Sequence, residues 1–294
     1  MNQECMEKII KAGFLVSYDF NMLRISLPII YPHLSQIYLC IDKERLTWSG
    51  EQFYISDEFW EWLSIFDSQN KIVIYEDQFY LPNLSPLELD TRERSMLASQ
   101  MGECDWCIQI DSDEYFLDFP QFISKLRQLD TSSPLTVYCR VAPLFKKTRN
   151  GFLLIDSEEY LPFATNLLKY TSARTNEACT SIFWNDIVIH QSWARSAEEI
   201  KQKLNNWSHK DDFNVESYYN LWLSIDEDNY RYLSDFHPLD GVSWSKLRLL
   251  ENWDICDMIN QKEWFYQAYQ AYAKDNKMVA DKKKPFWRFF KKEV

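Results

Sequence analysis

Through the first half of the chain, short apolar runs alternate with stretches of helical spacing, the pattern that builds βαβ units and a parallel sheet. Residues 13–17 (GFLVS) predict an opening strand. Met22, Leu23, Leu27, Ile30 and Tyr31 then recur on one helix face, and residues 37–41 (IYLCI) predict a second strand. Phe59, Trp60, Trp62, Leu63 and Phe66 are spaced for the buried face of a helix, and residues 71–75 (KIVIY) predict a third strand. A Ser-Pro boundary opens a helix over 86–101, and residues 106–110 (WCIQI) form a fourth strand that stops abruptly in Asp-Ser-Asp-Glu. The four strands end in Asp19, Asp42, Glu76 with Asp77, and Asp111 with Asp113. Ligands of open α/β sheets sit outside the carboxyl ends of the strands, so these carboxylates outline a crevice.

Past Pro120 the pattern changes. Residues 122–129 predict a short helix, 135–141 and 151–155 a β pair, and 182–189 a further strand. Ser196 with Glu199 three positions later makes a capping box, and Ile200, Leu204 and Trp207 give the helix that follows an apolar face. From about Ser217 the chain is aromatic-rich and mostly helical. Without an internal repeat or long linker, it divides into a main domain over 1–250, with halves at about 13–120 and 121–250, and a helical, basic aromatic tail over 251–294.

Hydrophobic residues make up 46% and charged residues 26%, which excludes a low-complexity or collagen-like chain. No run approaches the roughly 20 apolar residues that span a bilayer, and the start lacks the basic end and apolar stretch of a signal peptide, so a cytosolic protein is expected. A net charge of −12 argues against a nucleic-acid partner, because such surfaces neutralise phosphates with Lys and Arg. The end differs from the body: residues 282–294 hold six cations against Glu293 alone, interleaved with Phe286, Trp287, Phe289 and Phe290. That composition suits peripheral contact with the inner face of the cell membrane. The seven cysteines sit mostly in apolar runs. Cys104 and Cys107 form a C-x-x-C without a second ligand pair, so buried thiols are expected rather than a zinc site.

The sharpest chemical signal is IQIDSDEYF, residues 108–116. Two Asp residues one apart at the end of an extended run project to the same side, and Mg²⁺ or Mn²⁺ on a diphosphate takes one or two carboxylates with phosphate and water. An acidic turn, a calcium loop and a nucleotidyltransferase are the competing readings. The calcium loop fails because Tyr115 and Phe116 fall where an EF-hand needs an oxygen ligand and a glycine. The usual Gly-Ser turn of a nucleotidyltransferase is not found. Arg195 has the planar fork that clamps phosphate.

The segment TRERSMLASQMGECDWCIQIDSDEY (91–115) resembles family 2 glycosyltransferases, in which an Arg-led helix with a small residue and a Gly precedes an apolar strand ending in D-x-D. Arg92 or Arg94, Ala98, Gly102 and Asp111-Ser112-Asp113 are the matching positions. FLVSYDFNMLRISLPII is similar to that family's opening strand and first helix, with Asp19 where Asn is usual, and IYLCID is similar to its second strand, ending on Asp42. The resemblance covers about 13–120 and implies a GT-A type (Rossmann-like), mixed but mainly parallel α/β sheet flanked by helices. It implies an enzyme, a metal-dependent glycosyltransferase moving a sugar from a nucleotide-diphosphate donor to a glycan or lipid-linked acceptor. Ser17, Tyr18, Asp19, Asp42, Asp77, Arg92, Arg94, Asp111 and Arg195 would then hold the donor. Asp111, Asp113 and His190 would hold Mn²⁺ or Mg²⁺. On this reading Asp113→Asn abolishes metal-dependent donor binding. Asp186, preceding the strand that leads to His190, is the candidate general base, and Trp184, Trp193 and Trp207 could stack on an acceptor sugar. A non-catalytic carbohydrate-binding or scaffold protein on the same fold is the alternative.

Overall fold

A computed structural model of the chain describes residues 8–277 except 208, 241 and 242. Its first half is built of β1 (Ile10–Leu15), α1 (Leu23–Ile30), β2 (Gln36–Asp42), α2 (Asp57–Phe66), β3 (Ile72–Asp77), α3 (Pro86–Met101) and β4 (Trp106–Asp111). These strands lie in the order β3-β2-β1-β4, all parallel, the arrangement of a mononucleotide-binding half. Both faces of β1, β2 and β4 are covered, which is why these strands read as nearly continuous apolar runs, whereas β3 at the edge is half-exposed. Leu23 and Leu27 of α1 and Phe59 and Leu63 of α2 pack on one face. Leu97, Ala98 and Met101 of α3 pack on the other, against Tyr38, Cys40 and Cys107. The start of α3 is fixed by a capping box, with the Ser85 hydroxyl accepting from the Glu88 amide and the Glu88 carboxylate from the Ser85 amide, and Pro86 follows in the first turn.

Beyond β4 come β5 (Glu114–Phe116), α4 (Phe119–Gln128), β6 (Leu135–Thr148), β7 (Gly151–Ile155), β8 (Tyr160–Thr165), β9 (Thr180–His190), α5 (Ala197–Asn206), α6 (Val215–Ser224), β10 (Leu247–Glu251), α7 (Ile255–Asn260) and α8 (Lys262–Lys277). The sheet continues from β4 through β8, β6 and β7 to β10 by antiparallel pairs, while β9 runs parallel to β6 and antiparallel to β5. The result is a mixed α/β sheet flanked by helices, parallel in the first half and largely antiparallel in the second.

Three of these strands were not expected. β5 has only three residues, β8 is interrupted by Pro162, and β10 falls in the region expected to be mostly helical. Pairing of β10 with β7 is close: a Cβ on Gly151 would lie 1.9 Å from the Leu250 carbonyl oxygen, so only glycine fits. The stretch after 250, expected as a tail, starts as part of the body. Ile255 and Met258 of α7 and Phe265 and Tyr269 of α8 pack against Tyr115, Ala142, Leu144 and Ile189. The basic aromatic segment 282–294 lies outside the described residues. Among the described residues no helix is long and apolar enough to cross a membrane.

Candidate functional site

Strand β1 is followed in space by β2 on one side and by β4 on the other, so connections leave the carboxyl ends of β1 and β4 in diverging directions. Such a point opens a crevice at those ends. Ser17, Tyr18 and Asp19 leave β1 there, with the Ser17 hydroxyl 3.4 Å from the Asp19 carboxylate, and Asp111 to Asp113 leave β4. The antiparallel pairing of β5 with β9 sets His190 opposite Glu114 and hence beside Asp113.

Arg195, just before α5, joins the two strand ends. Its Nη2 donates to Asp113 Oδ2 at 2.5 Å and to Asp19 Oδ2 at 3.3 Å, and its Nε donates to the Ser192 carbonyl at 3.0 Å. Lys203 Nζ, from the last turn of α5, lies 3.4 Å from Asp113 Oδ2, and His190 Nε2 lies 3.6 Å from Asp113 Oδ1. Burial would raise the Asp113 carboxyl, but Lys203, His190 and Arg195 together hold it well below the usual range. Burial lowers Lys203 despite Asp113, and it raises Asp19 despite Arg195.

Asp111 faces a different set of cations. Arg94 Nη2 donates to it at 2.8 Å while Arg94 Nε donates to Asp90 at 2.6 Å. Burial pushes the Asp111 carboxyl up, and Arg94 and Arg174 outweigh it to hold the group at about 2. Arg174, from the loop before β9, is bidentate to Glu114 with both contacts at 2.7 Å, and Glu114 also accepts the Asp111 amide at 2.8 Å. The two Asp side chains of D-x-D are therefore bonded by different cations, Asp111 by Arg94 and Asp113 by Arg195. The strand ends at Asp111, and Ser112 and Asp113 belong to a turn, where period-two alternation no longer applies.

This arrangement does not fit Mn²⁺ or Mg²⁺ on Asp111, Asp113 and His190. Among the described residues no three metal-ligating side chains converge on one point. Arg94 takes Asp111 Oδ1, and Arg195 and Lys203 both take Asp113 Oδ2, so a cation on the remaining oxygens would lie against their like charge.

The other expected site residues are placed differently. Asp42 is buried and accepts four backbone amides, from Glu44, Leu46, Phe79 and Tyr80, so it shapes the loops after β2 and β3 rather than a nucleoside. Asp77 accepts the Tyr75 hydroxyl and the Gln78 amide, and Arg92 donates to the Gln78 and Phe79 carbonyls, so both serve the same loop. Asp186 cannot act as general base from its position. Its side chain is 3% exposed and bound to Lys125 at 2.6 Å, four residues before His190, about 13 Å along the strand. Trp184 packs in the core beside α4, whereas Trp193 and Trp207 meet edge to face in a separate core beside α5, so the three do not form one platform. Cys104 and Cys107 are free thiols that burial pushes up to about 11 and about 12, which leaves them unreactive.

A strap over residues 43–52 ties the end of β2 to the end of α5. Thr47 and Glu51 bond the Asn206 side chain, and the Ser49 hydroxyl donates to the Asn205 carbonyl. Its turn needs Gly50, at φ +77° and with a Cβ position 2.6 Å from the Tyr80 hydroxyl. Trp48 Nε1 in this strap donates to Glu93 Oε2 at 2.7 Å. Burial nonetheless pushes Glu93 up to about 8, so it is a neutral acid at neutral pH. A folded-state pKa above the unfolded one means that the folded chain holds the proton longer. Stability on this account falls as pH rises from the ordinary carboxyl range to about 8. Glu93→Gln should flatten that fall, read as urea midpoints between about pH 5 and 8; an unchanged pH profile would show that Glu93 does not titrate in this window.

No family model matches the chain, and no curated protein matches it. Solved structures that overlap it include 4-diphosphocytidyl-2C-methyl-D-erythritol synthase from Anaerococcus prevotii, at 13% identity and TM-score 0.33 over 57% of this chain and 74% of that one. HddC from Yersinia pseudotuberculosis, complexed with GMP-PN, overlaps at 13% identity and TM-score 0.33 over 61% and 92%. TarS from S. aureus overlaps at 9% identity and TM-score 0.34 over 78% and 70%.

Proposed function

We propose that the chain transfers a sugar from a nucleoside-diphosphate donor to a hydroxyl of a glycan or lipid-linked acceptor. The observation that carries this reading is the convergence of Asp19 and Asp113 on Arg195 where the parallel half changes direction, the place at which such sheets take a ligand. In the reaction the bond from the sugar's anomeric carbon to the diphosphate breaks and a bond from that carbon to the acceptor oxygen forms. The acceptor hydroxyl gives its proton to a base, and the departing diphosphate gains negative charge. Cations fixed in a water-poor site stabilise that charge without reorganising, and Arg195 and Lys203 are such cations. The resemblance of residues 91–115 to family 2 glycosyltransferases supports the same substrate class.

A thermal-shift panel of UDP-, GDP- and CDP-sugars tests the proposal, since a ligand that binds only the folded state raises the melting temperature. One nucleotide class should raise it, and the same donor should be consumed when acceptor glycans are added. Absence of any shift would sink the donor reading. A shift without transfer to any acceptor would favour a non-catalytic carbohydrate-binding protein.

A further inference from the structure

Asp42 and Asp113 are both buried carboxylates at the crevice end of the sheet, yet they are held in opposite ways. Asp42 is held by backbone amides, as a residue that organises loops should be. Among the described residues the Asp113 carboxylate meets Arg195, Lys203 and His190 alone, so it is a counter-ion on a turn. Its cations keep unused capacity. Among the described residues, Lys203 makes a single polar contact, at 3.4 Å, and its side chain is 14% exposed. Arg195 donates through Nε and Nη2, and among the described residues its Nη1 forms no hydrogen bond. A carboxylate bound by a guanidinium and an ammonium uses the same charge-assisted contacts as a phosphate oxygen.

Resting on the donor reading above, we infer that Arg195 and Lys203 supply the positive charge that receives the donor's diphosphate. Asp113 holds that seat until the diphosphate takes it, so donor binding needs no divalent ion. Charge balance favours this exchange. Around Arg195 itself, Asp19 and Asp113 already face Arg195 and Lys203, so an added divalent ion there would put further positive charge beside two cations whose carboxylates are in use. A diphosphate that displaces Asp113 toward solvent brings its own negative charge to the same two cations.

The test is titration calorimetry of the full chain with UDP, GDP and CDP, in excess EDTA and in Mn²⁺. The nucleotide that binds should do so with the same affinity in both. Asp113→Asn, which removes the competing internal anion, should bind it about tenfold more tightly, and Lys203→Gln about tenfold more weakly. Binding that disappears in EDTA and returns with Mn²⁺ overturns the inference while leaving the donor reading intact. So does loss of binding in a folded Asp113→Asn protein. Should that variant fail to fold, Lys203→Gln in EDTA decides, and unchanged affinity there overturns the assignment. If none of the three nucleotides binds in either condition, the donor reading falls and the inference with it.

Discussion

Glu114→Ala is expected to lower the unfolding free energy by about 3–5 kcal/mol, the largest stability loss of any single change at the strand ends. The Glu114 side chain is fully buried and that of Arg174 is 9% exposed, so removing the carboxylate leaves a guanidinium without its bidentate partner and without water to replace it. The Asp111 amide loses its acceptor in the same step. Asp111 is a poor substitute, since its Oδ2 stands 3.9 Å from Arg174 and its Oδ1 is held by Arg94. Urea denaturation measures the loss. The double variant Glu114→Ala, Arg174→Met should recover part of it, because an apolar pair does not strand a charge. A loss under about 1 kcal/mol would mean that Arg174 finds water or Asp111, and that the pair does not hold β5 in place. The consequence reaches the crevice, because β5 sets His190 beside Asp113 through its pairing with β9.

Glu114 and Arg174 also show where sequence reading stops. The parallel half was legible because its signals are local: α3 starts on its Ser-Pro boundary and ends at Met101 as expected, and the capping box of Ser196 and Glu199 opens α5. Asp19, Asp111, Asp113 and His190 were picked out by strand ends and motif spacing and Arg195 by its guanidinium, and the fold brings the five to one end of the sheet. The partners of D-x-D were not. Glu114 and Arg174 are 60 residues apart and Asp19 and Arg195 are 176 apart, and nothing in local spacing reports which cation a long loop returns to a carboxylate. D-x-D itself specifies two carboxylates and says nothing of the Arg and Lys side chains that reach them. Asp42, Asp77 and Asp186 carry the complementary lesson. An Asp near a strand can equally serve backbone amides or a lysine, and only the fold distinguishes these uses.

Arg195→Met should weaken nucleoside-diphosphate binding about a hundredfold. One guanidinium bridges Asp19 after β1 and Asp113 after β4, so the substitution leaves two carboxylates facing each other at the crevice with only Lys203 and His190 beside them. Each resists an incoming diphosphate, and the seat that the diphosphate would share with Asp113 loses its strongest donor. Arg195→Lys separates charge from shape. A lysine restores the positive charge, but a single ammonium on a flexible stem does not reproduce a planar group whose Nη2 meets Asp19 and Asp113 while its Nε stays on the Ser192 carbonyl. Affinity in Arg195→Lys is therefore expected to fall between wild type and Arg195→Met, and calorimetry on variants checked for cooperative unfolding provides the comparison. Full affinity in Arg195→Lys would show that a point charge is enough and that the bridge between the two strand ends plays no part in binding. Full affinity in Arg195→Met would remove this end of the sheet as the donor site, because no ligand that places phosphate against Asp19 and Asp113 binds unchanged once the cation between them is gone.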